Sequence, residues 1–570
     1  MKTMKKITAA VSAGLVLSAS AVCAYAEKPA GFENENAALS AELIARYDSQ
    51  AISADGGSME IIVYNKANGY AYAVSGIKGA IAAINIGGME KSDDVAKLSG
   101  TESDVKELVS KAENLGGFVY GDITSVSVSP DKTKLAACIQ HEDDSKNGAV
   151  AVFSFGENGE LVNPVLYSVG VQPDMVTFAD NSTILTANEG EPREGYADGT
   201  VDPKGSVSIV DISNGTVKTV GFEKFTADEL IAKNIIIGKA NDKILEPEFD
   251  LEPEYIAVSG NGEKAYVSLQ EANAVAVLNI KTGEFENISS VGFEDYSAVA
   301  VDLKDDGEYK AETYENLVGA RLPDAISIYE TNGKTYILTA NEGDAREWDD
   351  YCNEIKDKKA IGSSIRVIDS ECAAGLPEGK TVMFGSRSFS IFEVTADGLT
   401  EVFDSKNDFE ALTAKYLPAF FNCSNNEIEI DGRSQKKGPE PETVTVGNIN
   451  GREYAFIALE RIGGIMIYDI TEPASAQFVN YINSRDFSAE ISGDVSPEGL
   501  YFAAADNGKK SMLLAANEVS GTVAVYELSA AGNEGAGTDT DIPNTGVGLA
   551  IAPAITAAAA TLTAALKKRR

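Results

Sequence analysis

One unit of sequence is written into this chain seven times, and that repetition limits the folds open to it. The clearest copy is EPEYIAVSGNGEKAYVSLQEANAVAVLNI at Glu252–Ile280. An acid after proline opens an alternating apolar stretch, an Asn-Gly turn follows, and a second stretch ends beside another acid before a third stretch closes the unit. Further copies begin at Gln172, Leu322, Pro441 and Ser496, and two degenerate ones occupy Met59–Ile86 and Ile123–Phe155. Period-two alternation with Asn-Gly turns specifies antiparallel strands, at least three per copy. A lone meander leaves one apolar face wet and its edges unpaired, and arranging copies radially removes both problems. The sequence therefore predicts an all-β chain folded as a seven-bladed β-propeller, with six or eight blades as the alternatives.

The spacing between copies is uneven, which predicts insertions at residues 87–120, 213–251, 281–321 and 371–438. DVKELVSKAENL (Asp104–Leu115) and DFEALTAKYL (Asp408–Leu417) read as helices within two of them. In the fifth copy either Ser363–Ser370 or Arg387–Val394 can serve as the third strand.

The repeat also spells one acidic string twice, ILTANEGEPRE at Ile184–Glu194 and ILTANEGDARE at Ile337–Glu347. Strands one and two of a blade run antiparallel, so the acid opening the first and the acid closing the second lie at the same end. With the first strand innermost, Asp174, Glu254, Asp324, Glu442 and Glu498 ring the mouth of the channel. Glu189, Glu271, Glu342, Glu460 and Glu518 then lie just outside them. Carboxylates so close repel, and arginine partners, protonation or bound cations must offset that repulsion. Arg193, Arg346 and Arg461 follow the second-strand acids closely enough to pair with some of them. An all-oxygen site suits Ca²⁺, or Mg²⁺ or Mn²⁺, and no organic cofactor is expected. Glu189, Glu191, Glu342 and Asp344 are the foremost expected ligands, with the first-strand acids Asp174, Glu254, Asp324, Glu442 and Glu498 beside them. The competing reading gives these acids a structural role, bonding backbone amides at strand ends.

Charge and residue counts narrow the function. A net charge of −39 repels nucleic acid and anionic membrane. With one histidine, His141, a Ser-His-Asp triad or a His/Cys zinc site is disfavoured, and catalytic residues are unassigned. Cys352 and Cys372 could pair, although a few buried free thiols fit the scattered cysteines better.

The ends read as address labels. Residues 1–26 have a basic start, an apolar core and a small-residue cleavage site, predicting export with cleavage after Ala26. The propeller is assigned to residues 27–528 and a Gly/Ala/Thr-rich linker to 529–541. Residues 542–570 comprise IPNTG (Ile542–Gly546), an apolar run from Val547 to Leu566, and KKRR. The pentapeptide resembles the LPxTG-type sorting signal, which implies a sortase as partner, cleavage between Thr545 and Gly546, and attachment to a Gram-positive cell wall. A plain C-terminal membrane anchor is the alternative. On either reading the C-terminal segment is the one part expected to meet the membrane.

Four long strings carry a resemblance to a family: Thr186–Ile212, Pro323–Glu347, Gly438–Ile470, and SPEGLYF with ANEVSGTVAVYEL between Ser496 and Leu528. Together they resemble the choice-of-anchor I family, and the likeness runs from about Ala51 to Leu528. That family is similar to a mesenchyme-specific cell-surface glycoprotein and to some proteins labelled alkaline phosphatases. The resemblance implies a surface protein, either binding cations and an unknown extracellular ligand or acting as a metal-dependent phosphoesterase on a phosphorylated small molecule. A structural adhesin or spacer is the third reading. Gln435 stands where the family tends to carry an acid.

Overall fold

A computed structural model of the chain describes residues 39–89, 94–348, 351–506 and 508–530. The export signal, with its cleavage site at Ala26, and the sorting signal around Thr545 and Gly546 lie outside the described residues. Seven antiparallel sheets carry the repeat. Blade 1 spans Ile62 to Asp104, blade 2 Tyr120 to Val171, blade 3 Pro173 to Val220 and blade 4 Pro253 to Ser290. Blade 5 spans Ile326 to Asp404, blade 6 Pro441 to Ile482, and blade 7 opens at Pro497. Blades 1 to 6 have four strands rather than the minimum of three, and the sheet of blade 7 has five, with Ala96–Lys97 added at its edge. The first strand of every blade neighbours the first strand of the next, and that of blade 7 neighbours that of blade 1. The chain is a closed seven-bladed propeller with its first strands lining the channel.

An N-terminal strand that the repeat did not announce closes the ring. Leu39–Asp48 pairs antiparallel with Thr522–Ala530, from Leu39 opposite Ala530 to Asp48 opposite Thr522, as the fourth strand of blade 7. Arg46 fixes this strand with two bonds to the Asp494 carboxylate at 2.8 and 2.6 Å. Apolar side chains fill every gap between neighbouring blades. Between blades 3 and 4, for example, Leu185, Val207, Val267 and Leu278 are wholly buried. Truncating one such leucine costs about 2–5 kcal/mol.

The repeated ILTAN string has a packing explanation. Thr186 donates to Asn188 at 2.8 Å, and the Asn188 amide donates to the Ser206 and Ser208 hydroxyls on the third strand. Blade 5 copies the arrangement: Thr339 donates to Asn341, whose amide reaches Ser388 and Ser390. Thr186, Asn188, Ser208, Thr339, Asn341, Ser388 and Ser390 are fully buried, and a buried hydroxyl or amide needs such a partner. The glycine that follows is equally dictated. Gly190 and Gly343 have φ of +72° and +89°, and a Cβ at Gly343 would meet the Gly385 backbone at 1.9 Å.

The third strand of blade 5 is Phe389–Thr395, the later of the two candidates. The earlier one, Ile365–Ile368, belongs to a five-stranded satellite sheet with Phe293–Asp295, Leu317–Ala320, Glu354–Asp357 and Thr381–Phe384. The large excursion in blade 5 therefore lies between its second and third strands, across residues 341–388, and not only in the expected 371–438. The expected helices are present at Val105–Ser110, capped by Asp104, and at Asp408–Tyr416. All four described cysteines are free. Cys138 and Cys423 are buried, whereas Cys352 is exposed and hydrogen-bonded to Glu347, so the pair with Cys372 does not form.

Candidate functional site: an acidic channel mouth

At the start of the first strands the ladder slips, and this places the acids. In blades 2, 3, 4, 6 and 7 a β-bulge separates the first paired residue from the next, as between Pro173 and Val176 or Pro441 and Val444. Asp122, Asp174, Glu254, Glu442 and Glu498 sit in these bulges, a device that re-aims side chains at sheet ends. The residue before the proline is left-handed at Gln172, Leu322, Glu440 and Ser496, each buried and none of them glycine. Such strain persists only where its surroundings enforce it.

The five expected first-strand acids all reach the mouth. Asp174, Glu254, Asp324, Glu442 and Glu498 line one cavity of about 280 Å³, together with Glu189, Glu342, Asp344, Glu460 and Glu518. The ring is larger than expected, because Glu60 of blade 1 and Asp122 of blade 2 occupy the matching positions. Charges at Glu518, Asp122 and Asp174 act on Glu60, which ties both residues to this face. Sequence reading missed them because proline is absent before both. The pattern of an acid two residues before an apolar one holds at Glu60/Ile62 as at Asp174/Val176, but fails at Asp122, where Thr124 is polar.

Burial and mutual repulsion raise many carboxyls of this face above the usual range, whereas Lys437, against burial, holds Asp344 below it. Burial lifts Asp174 to about 7, with Asp324 and Glu191 adding to it. Glu60 rises to about 8, by burial first and then by Glu518 and its neighbours. Glu271 and Glu342 rise to about 7 through burial, against the pull of Arg346 and Lys437 respectively. Glu189, Glu254, Glu442, Glu460 and Glu498 are all pushed well above the ordinary value, chiefly by burial.

Internal cations neutralise part of the rim. Arg193 pairs with Glu191 at 3.0 Å and approaches Glu189 at 4.0 Å. Arg461 holds Glu460 at 2.7 Å and Glu440 at 2.8 Å. Arg346 departs from expectation: it is buried on Asp250 at 2.9 Å and Glu252 at 3.3 Å, away from Glu342. Its role at Glu342 falls to Lys437, which lies 2.8 Å from both Glu342 and Asp344. Lys437 belongs to the segment Asp431–Gly438, and buried Arg387 sets that segment in place. Arg387 donates to the carbonyls of Ser434 and Lys436 at 2.6 and 3.0 Å, and pairs with Glu410. The basic run RSQKK was visible in the sequence, but its descent onto the acidic face depends on long-range contacts.

Among the described residues, two groups of three carboxylates offer oxygens within 4.8 Å of one another, Asp324/Glu342/Glu442 and Glu342/Glu440/Glu460. The second is already balanced: against its burial, Lys437, Arg433 and Arg461 hold Glu440 far below the carboxylate range. The first is different. Asp324 and Glu442 share a hydrogen bond, and Lys437 and Gln270 at 2.8 Å reach only Glu342. Nearby, Glu254 and Glu271 each keep one buried oxygen with no hydrogen-bond partner among the described residues. The donor set is all oxygen, which fits a hard divalent cation. Glu189, Glu191 and Asp344 lie at the rim, each close to an internal cation. His141 has a packing role, accepting the Asp143 N–H at 2.9 Å with its ring edge-on to Phe118.

The model of the choice-of-anchor I domain matches residues 60–374 and 364–473. The chain belongs to the choice-of-anchor I family. Among its relatives, this choice-of-anchor I protein is 26% identical over 330 residues to a mesenchyme-specific cell surface glycoprotein of Strongylocentrotus purpuratus. That match covers 49% of this chain and 40% of the relative. It is 33% identical over 94 residues to Gigasin-3a of Magallana gigas, covering 16% of this chain and 32% of that protein. The chain thus spans well under half the length of the curated relatives it matches. Among solved structures it is similar to the WD40 domain of Toxoplasma gondii coronin, with TM-score 0.44, 9% identity and 87% of each chain covered. It is also similar to Kuenenia stuttgartiensis hydrazine synthase, with TM-score 0.41 and 11% identity over 84% of this chain and 98% of that one.

Proposed function

We propose that this surface-associated propeller binds a divalent cation at its channel mouth and uses that face to hold an extracellular ligand. Ca²⁺ is the foremost ion, with Mg²⁺ and Mn²⁺ as competitors, and Asp324, Glu342 and Glu442 are the central ligands. Asp174, Glu189, Glu191, Glu254, Asp344 and Glu498 surround them. One observation carries the reading: three carboxylates from two neighbouring blades converge within 4.8 Å while a single lysine reaches only one of them. Ionising them together costs Coulomb energy that a bound cation offsets. Family membership and the cell-surface relative support the surface setting. Attachment by a sortase at Thr545–Gly546 after export is part of the same proposal, and among the described residues no helix is long and apolar enough to cross a membrane.

The test is a thermal melt of the full chain after chelation, with Ca²⁺, Mg²⁺ or Mn²⁺ added back. A concentration-dependent rise with one ion, lost in Asp324→Asn/Glu442→Gln, is the expected result. No shift with any ion at millimolar concentration rejects the proposal.

A further inference from the structure

Beside the acidic mouth, and sharing Glu189, Glu254 and Asp344 with it, lies a second cavity of about 470 Å³ whose lining mixes acids with five cationic side chains. Arg366, Arg433 and Lys436 meet there, although the chain as a whole carries a charge of −39. Two separate elements bring them together. Arg366 stands on the satellite strand Ile365–Ile368, and its backbone N–H donates to the Gln435 carbonyl at 3.1 Å. This bond ties the strand to the segment that carries Arg433 and Lys436.

These cations are incompletely compensated. Arg366 pairs with Glu354, and Arg433 uses one terminal nitrogen on Glu440. The Arg433 Nε is buried with no acceptor among the described residues. Lys436 has no ion pair there either, and burial, then Arg433 and Arg366, push its ammonium below the usual lysine value. Three cations held together, with Arg433 and Lys436 short of acceptors, favour a negatively charged oxygen ligand.

The rest of the lining limits what that ligand carries. Glu254 and Glu271 line the same cavity, and each keeps a buried oxygen that accepts nothing. They call for hydrogen-bond donors such as hydroxyls. Trp348 contributes an indole, and it packs on Tyr196 and Tyr351 at 5.6 Å each. The volume suits a small organic molecule rather than a bare ion.

We infer that this cavity binds a carboxylate-bearing sugar, with its anion on Arg366, Arg433 and Lys436, its hydroxyls on Glu254 and Glu271, and its ring beside Trp348. None of the three central cation ligands takes part, although Glu254 borders both this cavity and the proposed cation site. The sugar acid is either a free monosaccharide or the end of an acidic glycan.

Trp348 is the single tryptophan of the chain, so its fluorescence reports on this cavity alone. The full chain, stripped with chelator, is titrated with glucuronate, glucose, acetate and inorganic phosphate, and then with a glucuronate-terminated oligosaccharide. The expected result is a saturable change with glucuronate, little with glucose or acetate, and about tenfold weaker binding in Lys436→Ala. Glu271→Gln, which replaces one accepting oxygen with an NH₂ donor at the same size, is expected to weaken glucuronate more than acetate. Tighter binding of the oligosaccharide identifies a glycan end, and equal binding identifies the free sugar. Glucose binding as well as glucuronate, phosphate or acetate matching glucuronate, or indifference to Lys436→Ala would overturn the inference. Glucuronate binding seen only after Ca²⁺ is added would also overturn it, by placing the anion on the metal, while leaving the cation proposal intact.

Discussion

Asp324 and Glu442, at the starts of the first strands of blades 5 and 6, share a hydrogen bond between their carboxyls, and an oxygen of Glu342 lies within 4.8 Å of both. A hydrogen bond between two acids requires a proton, and a cation can take the place of that proton. Ca²⁺ binding to the full chain at pH 7 is therefore expected to release protons. Calorimetry in two buffers of different ionisation enthalpy measures this directly. Identical heats in both buffers would mean that no proton leaves.

Removing carboxyls from this pair has separable effects. Asp324→Asn/Glu442→Gln is expected to abolish the Ca²⁺-dependent rise in Tm while leaving the metal-free protein as stable or more so, since it removes repulsion. A double variant that melts far below the parent without metal would instead show that these acids hold the blades together.

The pH dependence has a definite sign. Glu60 is raised to about 8 and Asp174, Glu271 and Glu342 to about 7, whereas unfolded carboxyls titrate near 4. Between these values the folded state keeps protons that the unfolded state has lost, so stability falls as pH rises through the window from about 4 to 8. The chelated protein is expected to melt highest near pH 5 and lower at pH 8, and saturating Ca²⁺ is expected to flatten that decline. A metal-free Tm that climbs steadily from pH 5 to pH 8 contradicts this account.

Lys437 competes with any cation for Glu342. Lys437→Met removes the ammonium 2.8 Å from that carboxylate, and Ca²⁺ affinity is expected to rise about tenfold. The same substitution lowers metal-free stability by uncovering Glu440, which stability measurements at saturating Ca²⁺ and in chelator would separate. Unchanged affinity would place the ion elsewhere on the face.

Arg387 is the positioning residue behind Lys437. Arg387→Met leaves Glu410 buried without its partner and frees the carbonyls of Ser434 and Lys436. A loss of about 3–5 kcal/mol is expected by denaturant titration. A loss below about 1 kcal/mol would show that the segment 431–438 holds its place without it.

Much of the architecture could be read from the letters because each blade repeats its own turn and alternation. The acid at a bulge, as in Glu254 or Glu442, follows from the same local grammar. What could not be read was whatever depends on distant partners. Leu39–Asp48 has no repeat signature of its own, because its place is set by Thr522–Ala530 at the other end of the chain. Arg193 and Arg346 occupy matching letters in the two eleven-residue strings, yet one stays at the rim and the other turns toward Asp250. That difference comes from the insertion before blade 4, not from either string. Ile365–Ile368 looks like a blade strand because a buried strand of any sheet selects similar residues.

The pairing of Leu39–Asp48 with Thr522–Ala530 also orders events in time. A chain made from its N-terminus can offer the opening strand only the short parallel pairing with Ala96–Lys97 until nearly every later blade has been synthesised. Blades 1 to 6 can form from local contacts, but the circle locks last, through contacts of very large sequence separation. Until then the chain carries two unpaired strand edges, and the bidentate bond of Arg46 to Asp494 is among the interactions that end that exposure.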